Sequence, residues 1–326
     1  MTRCALGLTG PAFGIPAQLS FQKEKTAMRK TTQLKQLVHA PELLVMPGAW
    51  DPLSARVIQD AGYAAVQCSG FAMSVTHLGL PDYSFMSLSD MLAVTQKIVD
   101  AVDLPVMADG DTGFGNAVNA WYAVRAFERI GAAGINIEDQ VMPKRCGHLD
   151  GKAIVPLDEA VAKIRACAEA RTDPDFVINA RTDALAVAGI DEVIRRGNAY
   201  LAAGATLVFI DGMTSRELTE QAVRGIRGPV SINLVEGGRS PDDFGFAEMQ
   251  ALGVARVSLP LTLMLGALQG MRQALDAVRA HGGIAGSRSL VAPFADFKRL
   301  AGFDEVFMLE QRYLAGLPAT APGAAA

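Results

Sequence analysis

Two neighbouring stretches of the chain carry side chains arranged for acid–base work. Ile137–Glu138–Asp139–Gln140 reads as a buried strand ending on carboxylates, and Lys144–Arg145–Cys146–Gly147–His148 follows within a few residues. A thiol among basic neighbours is placed to give up a proton, because nearby cations set its proton affinity. Cys146 is therefore the candidate general acid, and Lys144, Arg145 and His148 make its exposed, electropositive setting. Gly147 and Gly151 let this loop bend over a ligand as a lid.

Thirty residues upstream, Ala108–Asp109–Gly110–Asp111 adds two carboxylates at strand spacing. If the strand persists, both project the same way. Carboxylates sharing a face repel, and a shared proton or a cation relieves them. With Glu138 and with Asp82 of Gly79–Leu80–Pro81–Asp82, the donors are all oxygen, which predicts Mg²⁺ or Mn²⁺ rather than zinc. The competing reading is capping and salt bridging by loop carboxylates. Arg181, in Asn179–Ala180–Arg181–Thr182–Asp183, carries a planar fork suited to a substrate carboxylate, or to a salt bridge with Asp183 or Glu138. His39, His77 and His281 have no partner at metal spacing and are expected to be structural or superficial.

These groups need a frame. One phrase recurs at 61–66, 130–135, 203–208 and 252–257: a helix ends at Gly, and a β-rich run follows. Apolar strands are predicted to begin near 43, 64, 105, 134, 176, 207, 229 and 255. The intervening segments have helical periodicity; in 116–131, Ala120, Val124, Phe127 and Ile130 share a face. Strands without polar alternation, each followed by a helix, imply a parallel sheet covered outside. Eight such units predict a (β/α)₈ barrel, with a doubly wound open sheet as the competing architecture. Both place ligands beyond the carboxyl ends of the strands, where Ser69, Gly70, Asp109, Glu138, Arg181, Asp211 and Asn233 fall.

The barrel is expected over 28–285. Residues 1–27 read as a disordered or mis-annotated extension and 318–326 as a disordered tail. A further apolar helix, Phe294–Leu314 within 286–317, must dock elsewhere, for instance on a neighbouring subunit. The formal charge of −4 without a basic cluster argues against nucleic acid or an anionic membrane. No run of about eighteen apolar residues suggests a membrane span. The four cysteines show no pairing pattern, which suits a reducing cytoplasm.

From about Met46 to Pro260 the chain resembles the isocitrate lyase/phosphoenolpyruvate mutase superfamily, nearest in motif to 2-methylisocitrate and substituted-malate lyases. The resemblance is carried by Ser69–Gly70, 78–82, Asp109–Gly110–Asp111–Thr112–Gly113–Phe114–Gly115, Ile137–Glu138–Asp139–Gln140, the 144–148 loop and Ala180–Arg181–Thr182–Asp183–Ala184. It implies a (β/α)₈ barrel, Mg²⁺, and a homotetramer that exchanges C-terminal helices. It also implies retro-aldol cleavage of a small carboxylate, with the 2-oxo acid end on the metal and Arg181, and Cys146 protonating the other product. Backbone amides near Ser69, Gly70 and Phe71 and at Cys146–Gly147 would grip carboxylates. Three positions depart from the pattern. Gln67 stands for a tyrosine base, Asp211 for a glutamate, and Leu265 for an arginine that grips a third carboxylate in methylisocitrate lyases. The same scaffold also implies phosphonopyruvate-type carbon–phosphorus chemistry and oxaloacetate hydrolysis or decarboxylation as alternatives.

Overall fold

A computed structural model describes residues 28–147, 149, 151–241 and 243–315. The expectations for 1–27, His148 and 318–326 lie outside these residues. Eight parallel strands close in sequence order, with β1 (Leu44–Ala49) pairing β8 (Arg256–Leu259) in the register Leu44↔Arg256. Between them come β2 (Val66–Cys68), β3 (Val106–Asp109), β4 (Gly134–Glu138), β5 (Val177–Thr182), β6 (Leu207–Ile210) and β7 (Val230–Asn233). Each begins within two residues of its predicted start. Closure excludes the open sheet.

The strands form because both their faces are buried; β4 and β6 have no exposed position. Outside, helices cover them. One is the helix Ala117–Arg129, which starts at Asn116, whose side chain caps Val118 and Asn119, and ends before Gly131 at a φ of 86°. Its Ala120, Val124 and Phe127 are fully buried; cutting Phe127 back to Ala would cost about 3–5 kcal/mol.

Inside, the barrel is layered. Helix α1 (Lys30–His39) seats Leu34 and Val38 against Leu44, Met46, Ala65, Met107, Val177 and Leu207, closing the amino-terminal end with an apolar plug. Above it the interior turns polar: Gln67, Asn136, Asn179, Ser231 and Arg256 are all buried. The layer at the carboxyl ends is charged.

Two expectations are corrected. The strand does not persist from Asp109 to Asp111: β3 stops at Asp109, and Asp111 adopts a φ of 49°. The segment Phe294–Leu314 is two helices, Phe294–Ala301 and Phe303–Leu314, because Gly302 takes a left-handed φ of 83° between them.

Candidate active site at the carboxyl ends of the strands

The chain after β2 turns at Ser69, whose hydroxyl accepts the Ala72 amide and caps the short helix Gly70–Met73. The Gly70 amide donates to Asp109 Oδ2 at 3.1 Å, and a Cβ at Gly70 would collide with that oxygen. Asp109 Oδ1 accepts the Asp111 amide at 3.0 Å. Backbone donors thus fix Asp109 from both sides, and the turn they stabilise brings Asp111 alongside. Asp82, Asp109, Asp111 and Lys144 line one small cavity.

Lys144 corrects the picture of an exposed cationic loop. Its residue is 3 % exposed, and its ammonium lies 2.8 Å from Asp82 and 3.9 Å from Asp111. Burial opposes the charge, but Asp111, Asp82 and Glu138 outweigh it and hold the ammonium pKa well above its usual range. Burial raises the Asp111 carboxyl to about 6 and pushes Glu138 well above the carboxylate range. The loop is sewn down at several points. The Lys144 amide donates to Ser84 Oγ, Arg145 Nε donates to Tyr83 Oη at 3.0 Å, and Gln140 brackets the Arg145 backbone.

Arg181 makes the ion pairs weighed as its alternative role. Its Nε lies 2.8 Å from Asp183 and 3.2 Å from Glu138, and its Nη2 lies 2.7 Å from Asp211. Asn233 Nδ2 donates to the other Asp211 oxygen at 2.6 Å. Gly147 lies directly on this pair: a Cβ there would fall 1.1 Å from Asp211 Oδ2. Only a glycine lets the loop backbone settle so low.

Sequence reasoning missed two supports. Lys152 Nζ donates to the Gly147 carbonyl at 2.6 Å and pairs with Asp183 at 2.9 Å, tying the loop to β5. Asp139 accepts from Thr182, Tyr200 and Arg196 and from the Asp183 amide, so it holds β5 rather than a ligand. A lysine after a glycine-rich loop is an ordinary surface pattern, and nothing in one sequence marks it as buried.

Gln67, Ser69, Gly70, Phe71, Asp82, Asp109, Lys144, Cys146, Gly147, Arg181, Asp211 and Asn233 line a common cavity of about 70 Å³. Asn136, Phe209, Val235 and Ser258 join them, unmarked in the sequence by charge or motif. Arg145 lies outside it against Tyr83, and Leu265 sits half exposed on the helix after β8, away from the lining. Cys146 is half-buried, whereas burial pushes Cys68 and Cys167 up to about 12 and leaves them inert.

The oxygen donors fit a hard cation in kind. Glu138 Oε1 is buried without a hydrogen-bond partner, and an ammonium already sits among the neighbouring carboxylates. Among the described residues no three His, Cys, Asp or Glu side chains close on one point.

Known proteins share this architecture. Residues 34–279 match the phosphoenolpyruvate phosphomutase family. The 2,3-dimethylmalate lyase of Eubacterium barkeri is 39 % identical over 289 residues, covering 89 % of this chain and all of that one. Oxaloacetate acetylhydrolase, solved with 3,3-difluorooxalacetate, superposes with a TM-score of 0.82 at 32 % identity, over 89 % of this chain and 98 % of its own. Phosphonopyruvate hydrolase, solved with oxalate and Mg²⁺, gives 0.80 at 32 % identity, over 88 % and 100 %. With the closed barrel and this coverage agreeing, the chain belongs to the phosphoenolpyruvate mutase/isocitrate lyase superfamily of enzymes.

Proposed function

We propose that this enzyme is a Mg²⁺-dependent carbon–carbon lyase. It cleaves a small 2-hydroxy di- or tricarboxylate, in the first instance a substituted malate, to pyruvate or glyoxylate and a second carboxylate. The observation that carries this reading is the convergence of Cys146, Arg181 and the Asp82–Asp109 carboxylates on one narrow cavity. The likeness to 2,3-dimethylmalate lyase supports it.

Asp109, with Asp111, Asp82 and Glu138 around it, would hold the metal. When bound, Mg²⁺ supplies positive charge against the negative charge that develops as the bond breaks, an effect typically worth several kcal/mol. Arg181, braced by Asp183, Glu138 and Asp211, faces the 2-oxo acid end from the cavity wall. The hydroxyl proton would pass to a carboxylate of the cavity lining, and Cys146 delivers its own proton to the carbon left holding the electron pair. The Ser69–Phe71 turn and Gly147 receive carboxylates. Lys144 neutralises the mouth, and Lys152 keeps the loop down over the ligand. Among the described residues that line the cavity the cations are Lys144 and Arg181, both already paired with carboxylates, so methylisocitrate with its third carboxylate is a poorer fit than a malate.

A second reading rests on Gln67, which lines the cavity and has no proton-accepting group of useful basicity. Cleavage of a hydroxy acid must discharge the hydroxyl proton, whereas decarboxylation of oxaloacetate or phosphoryl migration on phosphonopyruvate releases no such proton. The test is a coupled assay for 2-oxo acids across substituted malates, 2-methylisocitrate and isocitrate, run beside direct loss of oxaloacetate and phosphorus NMR with phosphonopyruvate. Turnover should vanish with EDTA and return with Mg²⁺. Cys146→Ser should lower it at least about tenfold with folding intact, since general acids typically contribute roughly 10²–10⁴. Failure to cleave any hydroxy acid ends the lyase reading, and loss of oxaloacetate or phosphonopyruvate instead favours the second.

Residues 28–285 would form the catalytic barrel, and 286–317 would join subunits into a homotetramer. The exposed apolar face of the last two helices supports this assembly.

A further inference from the structure

One buried charge has no part in the chemistry above. Arg256 opens β8, is fully buried, and lies in the polar layer beneath the cavity. Its guanidinium donates to Met46 Sδ, to Ser231 Oγ at 2.7 Å and to Gln67 Oε1, all neutral groups. Burial moves its pKa down to about 9; among the described residues no carboxylate pairs with it, and it stays charged at neutral pH.

A buried charge without a counter-ion is costly, and proteins rarely keep one without use. The acidic groups in the layer above are already engaged. Asp211 and Glu138 pair with Arg181, Asp82 with Lys144, and Asp109 with backbone amides. Two contacts of Arg256 run directly to the cavity wall. Because a guanidinium only donates, Gln67 must turn its Oε1 toward Arg256. The Phe209 ring lies 5.7 Å from Arg256 Cζ and 5.5 Å from Arg181 Cζ, so one wall residue touches both cations. Gln67 and Phe209 both line the cavity.

We propose that Arg256 is a positioning residue for anion binding, whose uncompensated charge beneath the cavity favours ligands carrying two negative charges over those carrying one. This rests on reading the cavity as a carboxylate site, but not on which bond is cleaved. The field of a buried charge acts at a distance and doubles its effect on a dianion. A purely structural arginine would affect both ligand classes alike.

The experiment is calorimetric titration of the full chain, with Mg²⁺ present, using oxalate and pyruvate as probes. In Arg256→Met, oxalate affinity is expected to fall about tenfold and pyruvate affinity about threefold, so the preference for oxalate shrinks. Arg256→Lys should keep the preference within about twofold, because the charge remains. Gln67→Glu, which pairs the guanidinium without removing it, should shrink the preference as Arg256→Met does; with Arg256→Lys it decides the matter if the methionine variant fails to fold. Equal losses for both ligands, an unchanged preference in Arg256→Met or Gln67→Glu, or a wild-type protein that binds no oxalate would each overturn the proposal. A protein that cleaves no malate yet shows the shifted preference would sink the lyase reading and leave this one standing.

Discussion

At the scale of single residues, the site is governed by how buried charges are matched. Asp183 is fully buried between Arg181 and Lys152; burial opposes its ionisation, but the two cations hold its carboxyl well below the usual range. A carboxyl whose folded pKa is depressed stabilises the fold above the unfolded value, about 4, and loses that contribution as pH falls toward the folded value. Asp183→Asn should therefore cost about 3 kcal/mol near pH 7, because it leaves buried cations short of a partner. The gap to wild type should narrow below about pH 4. Chemical denaturation at both pH values measures this, and a gap independent of pH would show that Asp183 contributes by packing alone. The residue types were readable in the sequence here, but their pairings were not. Arg181 was open to a substrate or a salt bridge, and the structure spends its Nε and Nη2 on carboxylates of β4, β5 and β6 strand ends.

At the scale of elements, the 144–152 loop is the part most dependent on tertiary contacts. Its motif was legible from spacing, and its exposure was misjudged because the carboxylates that bury Lys144 come from loops sixty and thirty residues away. Gly147 has the sharpest steric requirement, since a methyl group there would overlap Asp211. Gly147→Ala should lift the loop off the strand ends, lower kcat at least about tenfold and leave thermal stability within a few degrees, as overpacking at a rim typically costs about 1–3 kcal/mol. Steady-state kinetics with a melting curve checks this. Unchanged kcat would mean that the lowered loop is irrelevant to turnover. The barrel strands, by contrast, were located to within two residues because their signal is local: apolar runs bounded by a helix-ending glycine and the next turn.

At the scale of the whole molecule, the C-terminal segment is unfinished in a single chain. The helices Thr262–His281, Phe294–Ala301 and Phe303–Leu314 have no buried residue, and Phe294, Phe307, Met308 and Tyr313 stand 72 %, 47 %, 63 % and 63 % exposed. The Phe294–Ala301 helix is tethered to the barrel by Arg56 to the Leu300 carbonyl and by an exposed Arg299–Asp60 pair, which is worth little. Apolar area of this kind in a stable protein is normally covered by another surface. Sedimentation velocity at micromolar concentration should find a species larger than a monomer, and Phe294→Glu with Phe307→Glu should shift it toward smaller species. A wild-type monomer would refute the association.

The sequence by itself determined the strand positions, the count of eight strand–helix units and the residues at the strand ends, because hydrophobic periodicity and turn chemistry are written in neighbouring residues; that the sheet closes was decided by the structure. It also determined the superfamily motifs. Only the tertiary structure decided which charges meet: Lys144 among carboxylates, Lys152 under the loop, Asp139 as a brace, and Arg256 beneath the cavity without a counter-ion among the described residues. The physical reason is range. Backbone conformation follows from the nearest few side chains, whereas the energy of a buried charge depends on every group that closure of the barrel brings around it.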